Sequence, residues 1–178
     1  MAANNDFKHI KPVEITGNFI ERIGEEWMLI AAKDDETGKF NMMTASWGTA
    51  GFMWNRPVIT CVIRPHRYTY EFTEKSDLAS FMFFGGKRRE ALDFCGAESG
   101  RDRDKVKETG LTPCFSREGA VYFEEAELVI IGKKCYNDNF KEDNFVERSI
   151  PGEYYPAKDY HRVYIYEIID VLLKTENN

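Results

Sequence analysis

The stretch RPVITCVIRPHRYTYEF, Arg56–Phe72, decides how the chain is read. Val58–Ile63 is a short, mostly apolar run, rich in β-branched residues and bounded by Pro57 and Pro65. That is the pattern of an interior strand whose ends carry the prolines. Beyond Pro65 the residues alternate, with Tyr68, Tyr70 and Phe72 on one side and Thr69 and Glu71 on the other, and period two again reads as strand. Two strands joined by a proline corner point to an all-β chain.

The neighbouring segments extend this reading. Glu25–Lys33 (EEWMLIAAK) reads as a buried strand, and DDETGK after it as a turn closed by Gly38. Phe40–Trp47 (FNMMTASW) resumes as its hairpin partner. GAVYFEEAELVIIGKKCY and HRVYIYEIIDVLLK have strand character, NDNFKEDNF is a polar excursion, and DLASFMFF fits either a strand or a helical turn. GGKRREALDFCG reads as a short helix with Leu92 and Cys95 on one face and Gly96 as its cap. A second helix is expected from Ser99, with Asp102 completing a capping box, to Gly110. Six or more strands with one or two short helices and no strand–helix alternation define an all-β barrel or sandwich with helical insertions.

Composition narrows the function. At 178 residues, 43% hydrophobic and 30% charged, the chain fits one domain with a sizeable core. The formal charge of -6 argues against nucleic acid as the main partner. Cys61, Cys95, Cys114 and Cys135 form no C-x-x-C pair, and with only three histidines a metal site has few ligands. Neither a signal peptide nor a membrane-spanning apolar run is expected, so the expected location is cytoplasmic.

The residues that bring chemistry fall into three groups. Thr44 and Ser46, with small residues and Trp47 around them, suit a flat ligand with a polar end, although Trp47 serves equally well as a core plug. Arg64 and Arg67 lie three apart across the proline corner and can converge on one anion, with Thr69 close by. Pairing with Glu71 or another carboxylate is the alternative use, and His66 between them reads as a surface residue or an anion contact. Ser99 stands at a helix start and Lys105 further along, where each can reach an anion or lie on a solvated face. Asp159 and His161 make a dyad without a nucleophile, no glycine-rich phosphate loop is present, and no catalytic residue can be assigned. If the chain is an enzyme, a cofactor does the hard chemistry.

These same residues carry a resemblance. KFNMMTASWGTAGFMWNRPVITCVIRPHRYTYEF, GAESGRDRDKVKETGLTP and DYHRVYIYEI resemble the flavin reductase-like family, closest to its flavoredoxin branch, over about Trp27 to Asp170. The resemblance implies a split β-barrel that holds FMN without a covalent bond, as a single domain over residues 1–178 with a helical insertion at about 86–110. It implies a homodimer with the flavin near the subunit boundary. Carried over position by position, Asn41, Thr44, Ala45, Ser46 and Trp47 meet the flavin. Arg64, Arg67 and Thr69 serve the phosphate and ribityl side, and Ser99 and Lys105 come from the middle loop and helix. The expected function is an oxidoreductase that takes hydride from NADH or NADPH and passes electrons to free flavin or another acceptor. The alternative is a flavoredoxin-like carrier reduced by a partner protein. Tyr166 and the run Phe81 to Phe84 depart from the family pattern and are expected to narrow access to the flavin.

Overall fold

Residues 6–175 are described by the computed structural model, and they contain ten strands and five helices. Strand β1 (Phe7–His9) leads to α1 (Phe19–Gly24), whose N-cap Asn18 accepts from the Ile20 amide at 3.0 Å. Strands β2 (Met28–Lys33), β3 (Phe40–Ala45), β4 (Gly48–Met53) and β5 (Arg56–Ile63) follow, then α2 (Tyr68–Lys75) and β6 (Leu78–Phe83). Helices α3 (Arg89–Ala97) and α4 (Lys105–Thr109) precede β7 (Pro113–Phe115), β8 (Val121–Phe123) and β9 (Leu128–Asn139). Helix α5 (Ser149–Tyr154) and β10 (Arg162–Lys174) complete the described chain.

The β2–β3 hairpin forms as its turn residues require. Asp34 accepts from the amides of Glu36 and Thr37 at 3.0 and 3.2 Å, and Gly38 takes φ +70°, a region that favours glycine. The main sheet then runs β3-β2-β6-β9-β10-β5-β4, with β1 added alongside β10. Alternate residues of β2 fall into two separate clusters, Met28 and Ile30 in one, Leu29 and Ala31 in the other. Both faces of the central strands are therefore buried, which is why they read as continuous apolar runs.

This architecture corrects the all-β split barrel expected from the sequence. The fold is mixed α/β, with five helices among the described residues and an open sheet. Strands β3 and β4 are separated by only Ser46 and Trp47, yet they sit at opposite ends of the sheet and form no ladder that would close it. The chain turns away at Ser46, and β4 pairs with β5 instead, in register Gly48↔Cys61 to Met53↔Arg56.

Tyr68–Phe72, expected as a strand, is helical. Its period-two alternation is outweighed by burial of Thr69, Phe72 and Thr73, spaced as one helix face. The turn at Arg64–Arg67, closed by the Arg67 amide donating a hydrogen bond to the Arg64 carbonyl at 3.0 Å, redirects the backbone into that helix. Two helix ends also differ. Helix α3 continues through Gly96, with Glu98 as C-cap, and α4 is capped by Asp104, which accepts from the Lys107 amide at 3.1 Å. Ser99 does not cap that helix; its hydroxyl accepts from Arg101 in the preceding turn. Gly110 ends α4 at φ +66° as expected.

Tyr166 and Phe81–Phe84 are buried in the core. Tyr166 is fully buried, packs edge-on against Phe81 at 5.3 Å, and leaves its hydroxyl without a partner. Gly132 lies so close to it that an added Cβ would stand 2.6 Å from the Cβ of Tyr166. Among the described residues no helix is long and apolar enough to cross a membrane.

Candidate functional site

Four pieces of chain meet at one edge of the sheet: the start of β3, the turn before α2, the C-terminal end of α3, and the loop leading into α4. Between them lies a pocket of about 220 Å³ that takes in Asn41, Arg67, Thr69, Ser99 and Lys105. An adjoining cleft of about 580 Å³ shares Asn41, Tyr68, Gly100 and Lys105 with it and adds the rings of Phe40 and Phe72. The register of β3 puts Asn41 here, since it pairs with Ala32 on β2 and points to α2.

The polar groups of the pocket are ordered by one another. Asn41 is 5% exposed and donates from Nδ2 to Thr69 Oγ1 at 2.9 Å. Thr69 Oγ1 thus acts as acceptor and keeps its own proton for a further partner. Gly100 packs directly on Oδ1 of the Asn41 side chain, where any Cβ would collide with it. Lys105 is 5% exposed, and its Nζ donates to the carbonyls of Met42 and Cys95, both at 2.9 Å. Burial pushes its pKa down to about 8, so the amine is still mostly protonated at neutral pH.

Arg67 is the exception to this mutual satisfaction. It is half-buried, burial pulls its pKa down, and its one side-chain bond is long, 3.4 Å from Nη2 to the Cys95 carbonyl. Among the described residues no carboxylate lies within ion-pair distance of it. Helix α2 begins immediately after it with no side-chain cap, and its first residues, Tyr68 and Thr69, line the same pocket. Glu98 also borders the pocket, and its Oε2 stands 3.8 Å from Arg103. A cation, a helix start with no side-chain cap and two hydroxyls, Thr69 and Ser99, are what an anionic ligand end requires.

The other expected residues occupy different surroundings. Thr44 donates to the Leu92 carbonyl at 2.5 Å and so ties β3 to α3. Ala45 is buried at the end of β3, and Ser46 and Trp47 form the link to β4. Arg64 has partners within the chain: Nη1 donates to Asp159 Oδ2 at 2.5 Å, Nη2 to the Tyr154 carbonyl at 2.8 Å, and the guanidinium lies over the Tyr155 ring. Trp47 is exposed and rests edge-on against Tyr154 at 5.5 Å and tilted over His161 at 5.1 Å.

His161 belongs to this second group. It is buried, with Nδ1 2.9 Å from the Tyr155 hydroxyl, and desolvation, followed by the nearby Arg64 charge, pushes its pKa down to about 4. The imidazole is therefore neutral at physiological pH. Sequence reasoning weighed Asp159 and His161 only as a dyad and did not reach Tyr155 or Gly100. The aromatic density of EYYPAKDYH was the available signal for the first; nothing in the sequence marked the second.

The open sheet thus carries a polar cleft at its edge, flanked by helices. Residues 20–178 match the flavin reductase like domain family, and the chain belongs to that family. The resemblance carried by Lys39–Phe72 and Gly96–Pro113 is thereby borne out. Among solved structures, it is similar to an FMN-binding domain of a flavin reductases-like enzyme from Shewanella baltica OS155. The identity is 16% and the TM-score 0.68, over 97% of this chain and 80% of that one. It is also similar to flavoredoxin of Desulfovibrio vulgaris (Miyazaki F), at 22% identity and TM-score 0.64, over 83% and 69% of the two chains. Flavoredoxin from Methanosarcina acetivorans gives 20% and 0.63, over 85% and 69%. At these identities the likeness is one of fold. No curated protein matches the chain.

Proposed function

We propose that this protein binds FMN without covalent attachment in the cleft described above and works as a flavoredoxin-like electron carrier reduced by a partner protein. The observation that carries this reading is Arg67, a half-buried cation with no carboxylate beside it, set among Thr69, Ser99 and the uncapped start of α2. Desolvating a guanidinium without a counter-charge is unfavourable unless an anion completes the site. The phosphate of FMN meets that need. Within the cleft, Asn41 and Lys105 are assigned to the ring and its polar edge, with Lys105 supplying an ammonium; Thr44, Ala45, Ser46 and Trp47, at the far end of β3 and its exit, lie outside the cleft lining. Arg64, whose donors already have acceptors, is assigned to positioning. Bound FMN would supply reversible uptake of electrons, while the chain binds, orients and shields it.

Two observations favour the carrier over direct reduction by NADH or NADPH. Two of the similar structures are flavoredoxins, and the exposed rings of Trp47 and Tyr154 offer an aromatic surface where a partner protein would approach. Association of two copies is part of the same proposal, supported by exposed Phe52, Met53 and Trp54 at the β4–β5 turn. The test is reconstitution with FMN followed by anaerobic mixing with NADH, NADPH or dithionite. Stoichiometric FMN uptake, prompt bleaching by dithionite and none by either nucleotide is expected. Saturable bleaching by a nucleotide at about 1 per second or faster would replace the carrier with the hydride-accepting oxidoreductase. Absence of FMN uptake would overturn both.

A further inference from the structure

We propose that the connection between β9 and β10, residues 140–161, is a strap latched by Asp159 to the turn that walls the cleft, and that its opening frees that turn and so admits and releases the bound ligand. The identity of that ligand rests on the FMN reading above; the latch itself does not.

The strap is built as a unit of its own. Phe145 packs against Phe140, Tyr155 and Tyr160 at ring distances of 6.0, 5.8 and 5.9 Å, and Tyr155 meets Tyr160 at 4.9 Å. None of these rings belongs to either core cluster of the sheet. Its base is closed by the Phe140 amide donating to the His161 carbonyl at 2.9 Å. A segment with a private core can move as a body while the sheet stays folded.

Its polar attachment to the rest converges on Arg64, which donates to the Tyr154 carbonyl at 2.8 Å and lies over the Tyr155 ring as well as meeting Asp159. Asp159 Oδ2 accepts from Arg64 at 2.5 Å and lies 3.5 Å from Nδ1 of His66. Arg64 and His66 belong to the turn that also presents Arg67, and His66 borders the small pocket. The latch therefore joins the strap to the loop that forms the cleft wall. Trp47, resting on Tyr154 and His161, supplies the apolar half of the same contact.

The closed state carries two internal costs. Asp159 Oδ1 is buried with no hydrogen-bond partner, although the neighbouring Arg64 holds the carboxyl below its ordinary pKa and hence ionised. Lys158, immediately before it, sits at φ +55°, a conformation that side chains other than glycine rarely adopt. A latch that gains an ion pair while burying an unpaired anionic oxygen and a strained residue is closed by a small margin, which is what a gate requires.

Hydrogen exchange on the FMN-free protein tests the latch, and stopped-flow FMN association with release on dilution tests the gate. Asp159→Ala should speed amide exchange in residues 141–160 by about ten-fold or more while β5 and β6 keep their protection. It should also raise FMN association and release rates together, leaving the dissociation constant within about three-fold. Asp159→Asn keeps the shape and is the second variant if the alanine fails to fold. In an Arg64→Ala background, Asp159→Ala should add nothing further to strap exchange. Unchanged exchange in 141–160, or full additivity with Arg64→Ala, overturns the latch. Faster exchange with unaltered FMN rates overturns the gate. A protein that never binds FMN removes the FMN reading but leaves the exchange result to stand for the latch.

Discussion

Replacing Arg67 by methionine separates an anion-binding residue from a structural one, because the two roles move different quantities in opposite directions. Methionine keeps most of the apolar stem and removes the charge. In the free protein the guanidinium gives up hydration for a single 3.4 Å bond to the Cys95 carbonyl, which Lys105 also serves at 2.9 Å. Its loss leaves no buried group orphaned, so the ligand-free protein should keep its melting temperature or gain slightly. With FMN bound, the lost contact is a charge-assisted one, worth about 1.5–3 kcal/mol, or roughly 10- to 150-fold in affinity. Riboflavin, which lacks the phosphate, should bind the variant and the parent chain about equally. Titrations of both flavins by fluorescence quenching, with melting curves of the flavin-free proteins, give the complete set. Equal weakening for FMN and riboflavin would refute the reasoning. So would a fall of several degrees in the flavin-free melting temperature, since it would mean that Arg67 stabilises the fold.

Two further outcomes rest on buried groups. Tyr166→Phe removes a fully buried hydroxyl with no partner and keeps the ring against Phe81. It should stabilise the protein by about 1 kcal/mol, or about 2–4 °C in melting temperature, and a lower melting temperature would show a hidden partner for the hydroxyl. His161 binds its proton only near pH 4 when folded, against an ordinary value of 6.5, so the unfolded chain holds the extra proton between those values. Stability should therefore fall by about 1–3 kcal/mol as the pH drops through that window, and His161→Gln should flatten the fall. Urea denaturation at a series of pH values measures it, and identical profiles for the two proteins would count against a buried neutral imidazole.

The strands were legible where burial imposes a pattern. β2, β5 and β10 announce themselves by β-branched and apolar runs, and the Asp34–Gly38 turn by its own chemistry. The sheet order was not legible, because nothing local to Ser46 and Trp47 says that β3 and β4 part to opposite ends. Tyr68–Phe72 misled for a physical reason: its three aromatic rings alternate, yet it is Thr69 and Thr73 that are buried with Phe72, and small hydroxyl residues give a weak hydrophobic signal. In the cleft, Arg67, Thr69 and Lys105 could be named from spacing, but the difference between Arg67 and Arg64 could not. It depends on Asp159, ninety-five positions further along the chain from Arg64.

Gly132 and Tyr166 have a consequence for how this sequence can change over time. They are diagonal neighbours across β9 and β10, since Gly132 pairs with Ile168. With the two Cβ positions only 2.6 Å apart once a methyl group is added at 132, that site can accept no side chain while the strands keep their spacing. The obstruction is the first carbon of the tyrosine, so shortening residue 166 to alanine would not relieve it; only glycine would. Substitution at the two sites is therefore ordered. Bulk must leave position 166 before any can enter position 132, and the intermediate, glycine at both, passes through a core missing an entire aromatic ring. Lineages that cross that valley would keep one glycine and one larger residue, with the places exchanged.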